Sequence, residues 1–142
     1  MLNATKEFID FLDHYKIYYN YAGNTSQAEN EQITLKITSN ILSDLTINFI
    51  FDSNNQIVYI RIWNFIKVPA ACRDLALSFI NNLNSSYRFV RFYLNTETNT
   101  IDIFVDSFIQ SGAVGRTCLN LCVIIAKICD SVYPEIIKSF EL

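Results

Sequence analysis

Between residues 4 and 18, Phe8, Phe11, Leu12 and Tyr15 fall at i, i+3, i+4 and i+7. That spacing predicts an amphipathic helix, with Asn3 or Thr5 placed to cap it. Residues 20–30 break the pattern with a polar run around Gly23 and read as a mobile linker. The period then changes to two. Ile33, Leu35 and Ile37 alternate with Gln32, Thr34 and Lys36, and Leu45, Ile47, Phe49 and Phe51 alternate with Thr46 and Asn48. Residues 52–55 form a turn cluster. The run 56–66 also alternates, but both phases are apolar. One carries Val58, Ile60, Ile62 and Ile66; the other carries Ile57, Tyr59, Trp63 and Phe65 around Arg61. A strand apolar on both sides is expected to be central and covered on both sides.

Pro69 stands where a helix begins, because its missing N–H costs nothing there. Cys72, Leu75, Ala76, Phe79, Ile80 and Leu83 trace one stripe along that helix, which the polar run 81–86 closes. Residues 87–94 and 100–108 read as a β-hairpin around the polar turn 95–99. Ser111 or Gly112 opens a long helix to about Val132, and Pro134 is expected to break it and start a short helical tail. The predicted order is α-β-β-β-α-β-β-α: an α+β fold with a mostly antiparallel five-stranded sheet and helices packed on it. Residues 1–142 form one domain with no internal repeat.

One pattern is used twice: aromatic, x, Arg, x, aromatic, as Tyr59-Arg61-Trp63 and Phe89-Arg91-Tyr93. On a strand, each copy presents two rings and a guanidinium on one face. Arg and large aromatic residues are enriched where protein interfaces carry most of their energy. The same pattern can also be satisfied within the chain, with arginine stems lying across rings. Composition favours association: 51% hydrophobic residues against 18% charged, and 14% aromatics, are more apolar material than a small monomer usually hides. The net charge of −3 argues against general phosphate-backbone binding. The basic-aromatic run 87–92 faintly resembles RNA-binding sheets, but the element order is wrong and its glycines are missing. The first ten residues carry no secretory pattern, and the apolar run 118–129 is too short to span a bilayer. A cytoplasmic protein with no membrane partner is the expectation.

Signals for catalysis, cofactors and metals are weak. Gly112-Ala113-Val114-Gly115-Arg116-Thr117 resembles a fragment of a phosphate loop without its Lys or spacing. The run from Asp52 begins like a calcium loop, but Ile57 stands where Gly is needed and Trp63 where a bidentate Glu is needed. Cys118 and Cys122, four apart, share a helical face with Cys129; they and Cys72 read as buried small hydrophobes rather than a metal or redox site. His14 lacks an evident nucleophile or carboxylate partner. Asp102 and Asp106 share a strand face, and as paired carboxylates they could support acid–base chemistry in a cleft; more often two such aspartates simply mark the solvent side of an alternating strand. No catalytic, cofactor-binding or metal residue is nominated.

The stretch Val58-Tyr59-Ile60-Arg61-Ile62-Trp63-Asn64-Phe65-Ile66-Lys67-Val68-Pro69, the helix end Asn82-Leu83-Asn84 and the run Tyr87-Arg88-Phe89-Val90-Arg91-Phe92-Tyr93 resemble the YbjN family of bacterial proteins, over about residues 31–140. That resemblance implies a fold similar to the type III secretion chaperones, commonly homodimeric, and a small non-enzymatic protein that binds or regulates other proteins. Tyr59, Arg61, Trp63, Phe89, Arg91 and Tyr93 are then the interface candidates, with a second copy and possibly an unidentified protein as partners. The alternatives are a small enzyme or ligand-binding domain built on Asp102 and Asp106 or His14, and a structural subunit of a larger assembly.

Overall fold

The computed structural model describes residues 1–23 and 30–141. Three α-helices and six strands follow one another as α1 (Asn3–His14), β1 (Asn20–Ala22), β2 (Glu31–Ile37), β3 (Leu45–Phe51), β4 (Ile57–Lys67), α2 (Arg73–Ser86), β5 (Arg91–Asn95), β6 (Thr100–Phe108) and α3 (Val114–Phe140), with a 3₁₀ turn at Ala70–Cys72 leading into α2. The strands form one antiparallel sheet in the order β1-β2-β3-β4-β6-β5. The fold is therefore α+β, with six strands where five were expected. The extra strand, β1, lies inside the predicted polar linker and is exposed along its length. It carries no apolar alternation, so pairing with β2 defines it. Residues 24–29 of that linker lie outside the described residues.

All three helices feed one hydrophobic core against a single sheet face. From the sheet come Ile33, Leu35, Ile47, Phe49, Phe51, Val58, Ile60, Ile62, Ile101, Ile103 and Val105, all buried. Phe8 of α1 stands edge-on to Phe49 and Phe51, with ring centroids 5.0 and 5.9 Å away. α1 crosses α3 closely at Gly115, where an added Cβ would sit 2.3 Å from the Phe11 ring. The Glu7 carboxylate accepts the N–H groups of Gly112 and Val114 at 2.9 and 2.8 Å. It thus fills the positive N-terminal end of α3 with an anion from α1.

Two expectations about long elements are corrected. Pro134 does not break the last helix; α3 runs through it, with Pro134 exposed on the solvent side. The apolar run 118–129 is consequently part of a 27-residue helix that is long and apolar enough to cross a bilayer by length and composition. Here its stripe of Val114, Cys118, Cys122, Ile125, Cys129, Val132 and Ile136 is buried.

Of the two-sided reading of β4, the central position is borne out, between β3 and β6. However, Ile62 pairs with Ile103 and Ile66 with Ile101, so the residues between them face Asp102 as a bulge. Asn64 sits in the bulge with φ 57°, a left-handed conformation that Asn tolerates better than most residues. The bulge turns Phe65 away from Trp63 and towards α3, where it meets the Tyr133 ring edge-on at 5.8 Å. Tyr59, Arg61 and Trp63 are left on a face that none of the described helices covers.

Candidate protein-binding face

The uncovered face can be read from the register. One row crosses the whole sheet: Asn20, Thr34, Asn48, Arg61, Phe104 and Arg91. Its two halves differ in chemistry. On β2 and β3 the polar groups satisfy one another. Asn48 Oδ1 accepts from Gln32 Nε2 at 3.0 Å and from Thr34 Oγ1 at 2.8 Å, while its amide donates to the Arg61 carbonyl at 3.2 Å. On β4, β6 and β5 the face is aromatic and charged.

Arg61 organises that second half. Its guanidinium donates to Asp106 at 2.7 Å and lies over the Phe104 ring, 4.4 Å from the centroid, with the Tyr59 ring 5.5 Å away. Tyr93 stacks on the other neighbour of this row, its ring 5.5 Å from that of Phe104 and tilted by 21°. Cation–π contacts of this kind contribute about 1 kcal/mol each. Tyr59 and Arg61 are therefore half-buried and internally engaged. Trp63 and Tyr93 remain 44% and 50% exposed, enough ring surface to meet another molecule.

The second copy of the sequence pattern is displaced. Phe89 precedes β5, in the segment after α2, and is 74% exposed. It does not share a strand with Arg91 and Tyr93, as the expected strand 87–94 required. Arg91 donates to the Tyr87 carbonyl at 3.1 Å, which holds this approach to the strand. The face also includes residues that the sequence pattern did not single out: Phe104, Asp106 and, at the end of β6, Phe108, which is 83% exposed. Their signal was the alternation of Phe104, Asp106 and Phe108 against buried Ile101, Ile103 and Val105.

The two edges of the sheet are finished differently. At the centre of β5, Asn84 of α2 donates to the Phe92 carbonyl at 3.0 Å and accepts the Phe92 N–H at 2.8 Å. One side chain thereby takes both outward backbone groups of Phe92, where another strand could otherwise add. At the other edge, Tyr21 of β1 donates its hydroxyl to the buried Glu31 carboxylate, which also accepts the Leu2 N–H. Burial alone raises the Glu31 pKa, but these donors outweigh it and hold the group below its ordinary value.

The carboxylate and histidine alternatives do not come together. Asp102, only 1% exposed, accepts from the Asn64 N–H and Thr100 Oγ1, both at 2.9 Å, and from Asn95 Nδ2 at 3.3 Å. All of its contacts brace the bulge and the hairpin end. Asp106 is taken by Arg61, and the grooves it lines do not include Asp102. His14 lies elsewhere, in an open groove of about 600 Å³ with Glu7, Asp10, Tyr15 and Arg116 between α1 and the start of α3. The phosphate-loop fragment there already holds an anion, the Glu7 carboxylate. The four cysteines are unbridged and buried. Burial raises the Cys122 and Cys129 thiols to about 11 and 12, so both stay protonated and unreactive. Among the described residues, no three His, Cys, Asp or Glu side chains are grouped as a metal site.

No protein-family model matches the chain, and no curated protein matches it either.

Proposed function

We propose that the protein is a non-enzymatic binding module, chaperone-like and of the YbjN kind, that pairs with a second copy and holds a partner polypeptide. One observation carries this reading: helices cover one face of the sheet, while Trp63 and Tyr93 stand exposed beside a fixed Arg61–Phe104–Asp106 cluster on the other. Rigid rings of this kind contribute contact area at little entropic cost, and an immobilised guanidinium offers orientation. The pairing would stack the two uncovered faces about a two-fold axis, each Trp63 meeting the aromatic half of the other copy. α3 serves as a core helix in this reading, since its apolar stripe is already buried. A cytoplasmic setting suits four unbridged cysteines, which a reducing compartment keeps as thiols.

The test is Trp63→Ala with Tyr93→Ala, followed by size-exclusion chromatography with light scattering. The wild type is expected near twice 16.4 kDa at micromolar concentration and the double variant near that single mass. A wild type that is monomeric at that concentration, or a variant that keeps the dimer mass, rules out the pairing.

A further inference from the structure

We infer that the corner where β6 ends and the chain enters β5 is the docking point for an acidic polypeptide segment carrying one apolar anchor; the inference rests on the reading of this chain as a protein-binding module and names its partner's chemistry. Two shallow grooves meet at Phe89 and Asp106. The first, about 250 Å³, is lined by Ile57, Ser107 and Phe108 with those two residues. The second, about 330 Å³, is lined by Arg88, Arg91 and Phe104 with the same pair. An apolar slot therefore lies next to a cationic one, with the exposed Phe89 ring as the ridge between them.

Charge selects the occupant. The chain as a whole carries −3, yet this corner holds three arginines (Arg61, Arg88 and Arg91) and one aspartate, an excess of two positive charges. Asp106 is neutralised by Arg61. Neither Arg88 nor Arg91 has a carboxylate partner among the described residues. Arg91 uses Nη1 on the Tyr87 carbonyl and keeps the rest of its donor fork for a ligand. Two adjacent free guanidiniums suit two carboxylates on a segment, and the Phe89–Phe108 slot suits one leucine or aromatic side chain beside them. A nucleic-acid strand fits less well, because two free cations in an acidic chain neutralise too few phosphates.

The experiment is selection from a random dodecapeptide phage library on the intact protein, followed by fluorescence anisotropy with the enriched peptide. Enrichment of Asp- and Glu-rich peptides with one Leu, Phe or Trp is expected. Binding should weaken at least about tenfold when the peptide acids become Gln and Asn, and by a similar factor in Arg88→Glu/Arg91→Glu. Arg88→Lys/Arg91→Lys should recover most of the affinity, and Phe89→Ser should lose it with charge intact. No enrichment, enrichment without acidic bias, affinity that survives charge reversal, or tighter binding of a dodecathymidine probe each overturns the proposal. The pairing of two copies is tested separately. Arg88→Glu alone, before β5 and outside the paired row, should weaken peptide binding and leave the light-scattering mass unchanged, and Trp63→Ala alone, which lines neither groove, should leave peptide binding in place, so either idea can fail alone.

Discussion

Replacing Asp102 tests whether this carboxylate is a structural brace. In Asp102→Ala three donors lose their acceptor: the Asn64 N–H, Thr100 Oγ1 and Asn95 Nδ2. The losses are unequal. Thr100 can turn its hydroxyl to Thr98 Oγ1, 2.7 Å away, and the Asn95 contact is long at 3.3 Å. The Asn64 amide has no such escape, because the left-handed bulge aims it at Asp102. A charge-assisted hydrogen bond contributes about 1.5–3 kcal/mol, so with the lesser contacts and the vacated volume Asp102→Ala should cost about 3 kcal/mol. Asp102→Asn keeps one acceptor oxygen for Asn64 and sets amide against amide only at Asn95, so its cost should be about 1 kcal/mol. Urea denaturation followed by far-ultraviolet circular dichroism reads both. With a slope of about 2 kcal/mol per molar for a domain of this size, the midpoint should fall by about 1.5 M in the alanine variant and by about 0.5 M in the asparagine variant. The fluorescence of Trp63, the sole tryptophan, should shift in the native alanine variant as the bulge loosens. A midpoint change below about 0.3 M in Asp102→Ala, or an asparagine variant as damaged as the alanine one, would show that the bulge is held by something else.

Gly115→Ala should cost about 1–3 kcal/mol, since its Cβ would press into Phe11 from that residue's own Cβ outward; Phe11→Gly in the same chain, which removes all of those atoms, should make the further cost of Gly115→Ala smaller than Phe11→Ala does, a coupling that thermal-melt double-mutant cycles measure. Asn84→Ala should lower stability by about 1–2 kcal/mol and, by freeing both outward groups of Phe92, raise concentration-dependent association in light scattering; unchanged mass at high concentration would deny it the role of edge plug. Glu31 is held below its ordinary pKa in the folded chain, so its contribution is complete above the unfolded carboxylate value and is lost as pH falls through the lower folded one. Denaturation curves between about pH 5 and pH 3 should therefore be less steep in pH for Glu31→Gln than for the wild type.

Much of this architecture follows from periodicity. The stripes of α1 and α2 and the alternation of β2 and β3 are visible because each element buries one face. The misses have separate physical origins. β1 buries nothing, so no hydrophobic signal marks it. The bulge in β4 depends on one left-handed residue, Asn64, and moves Phe65 to the opposite side of the strand without changing the composition of the run. Pro134 reads as a breaker because its ring and missing N–H disturb a helix interior, yet packing of Val132 and Ile136 on either side keeps α3 continuous. For the candidate face, Arg61, Trp63 and Tyr93 were recognisable as strand residues of interface type. The exposure of Phe89 was not, since nothing in the run 87–94 announces that the strand starts at Arg91. The asymmetry of cover is also invisible in sequence: a phase of Tyr59, Arg61 and Trp63 looks the same whether a helix or open solvent lies above it.

The contact between Glu7 and the start of α3 joins groups 105 and 107 residues apart. Closing so long a loop is costly in entropy, and this clasp can form only after the whole sheet has left the ribosome. Until then Phe11 lacks its seat on Gly115, and the first helix waits as a sticky, half-sheltered segment. Biogenesis thus has a late step in which α1 and the start of α3, made far apart in time, lock together, and premature termination before Gly112 would leave a product with its sheet written but its lid unlatched.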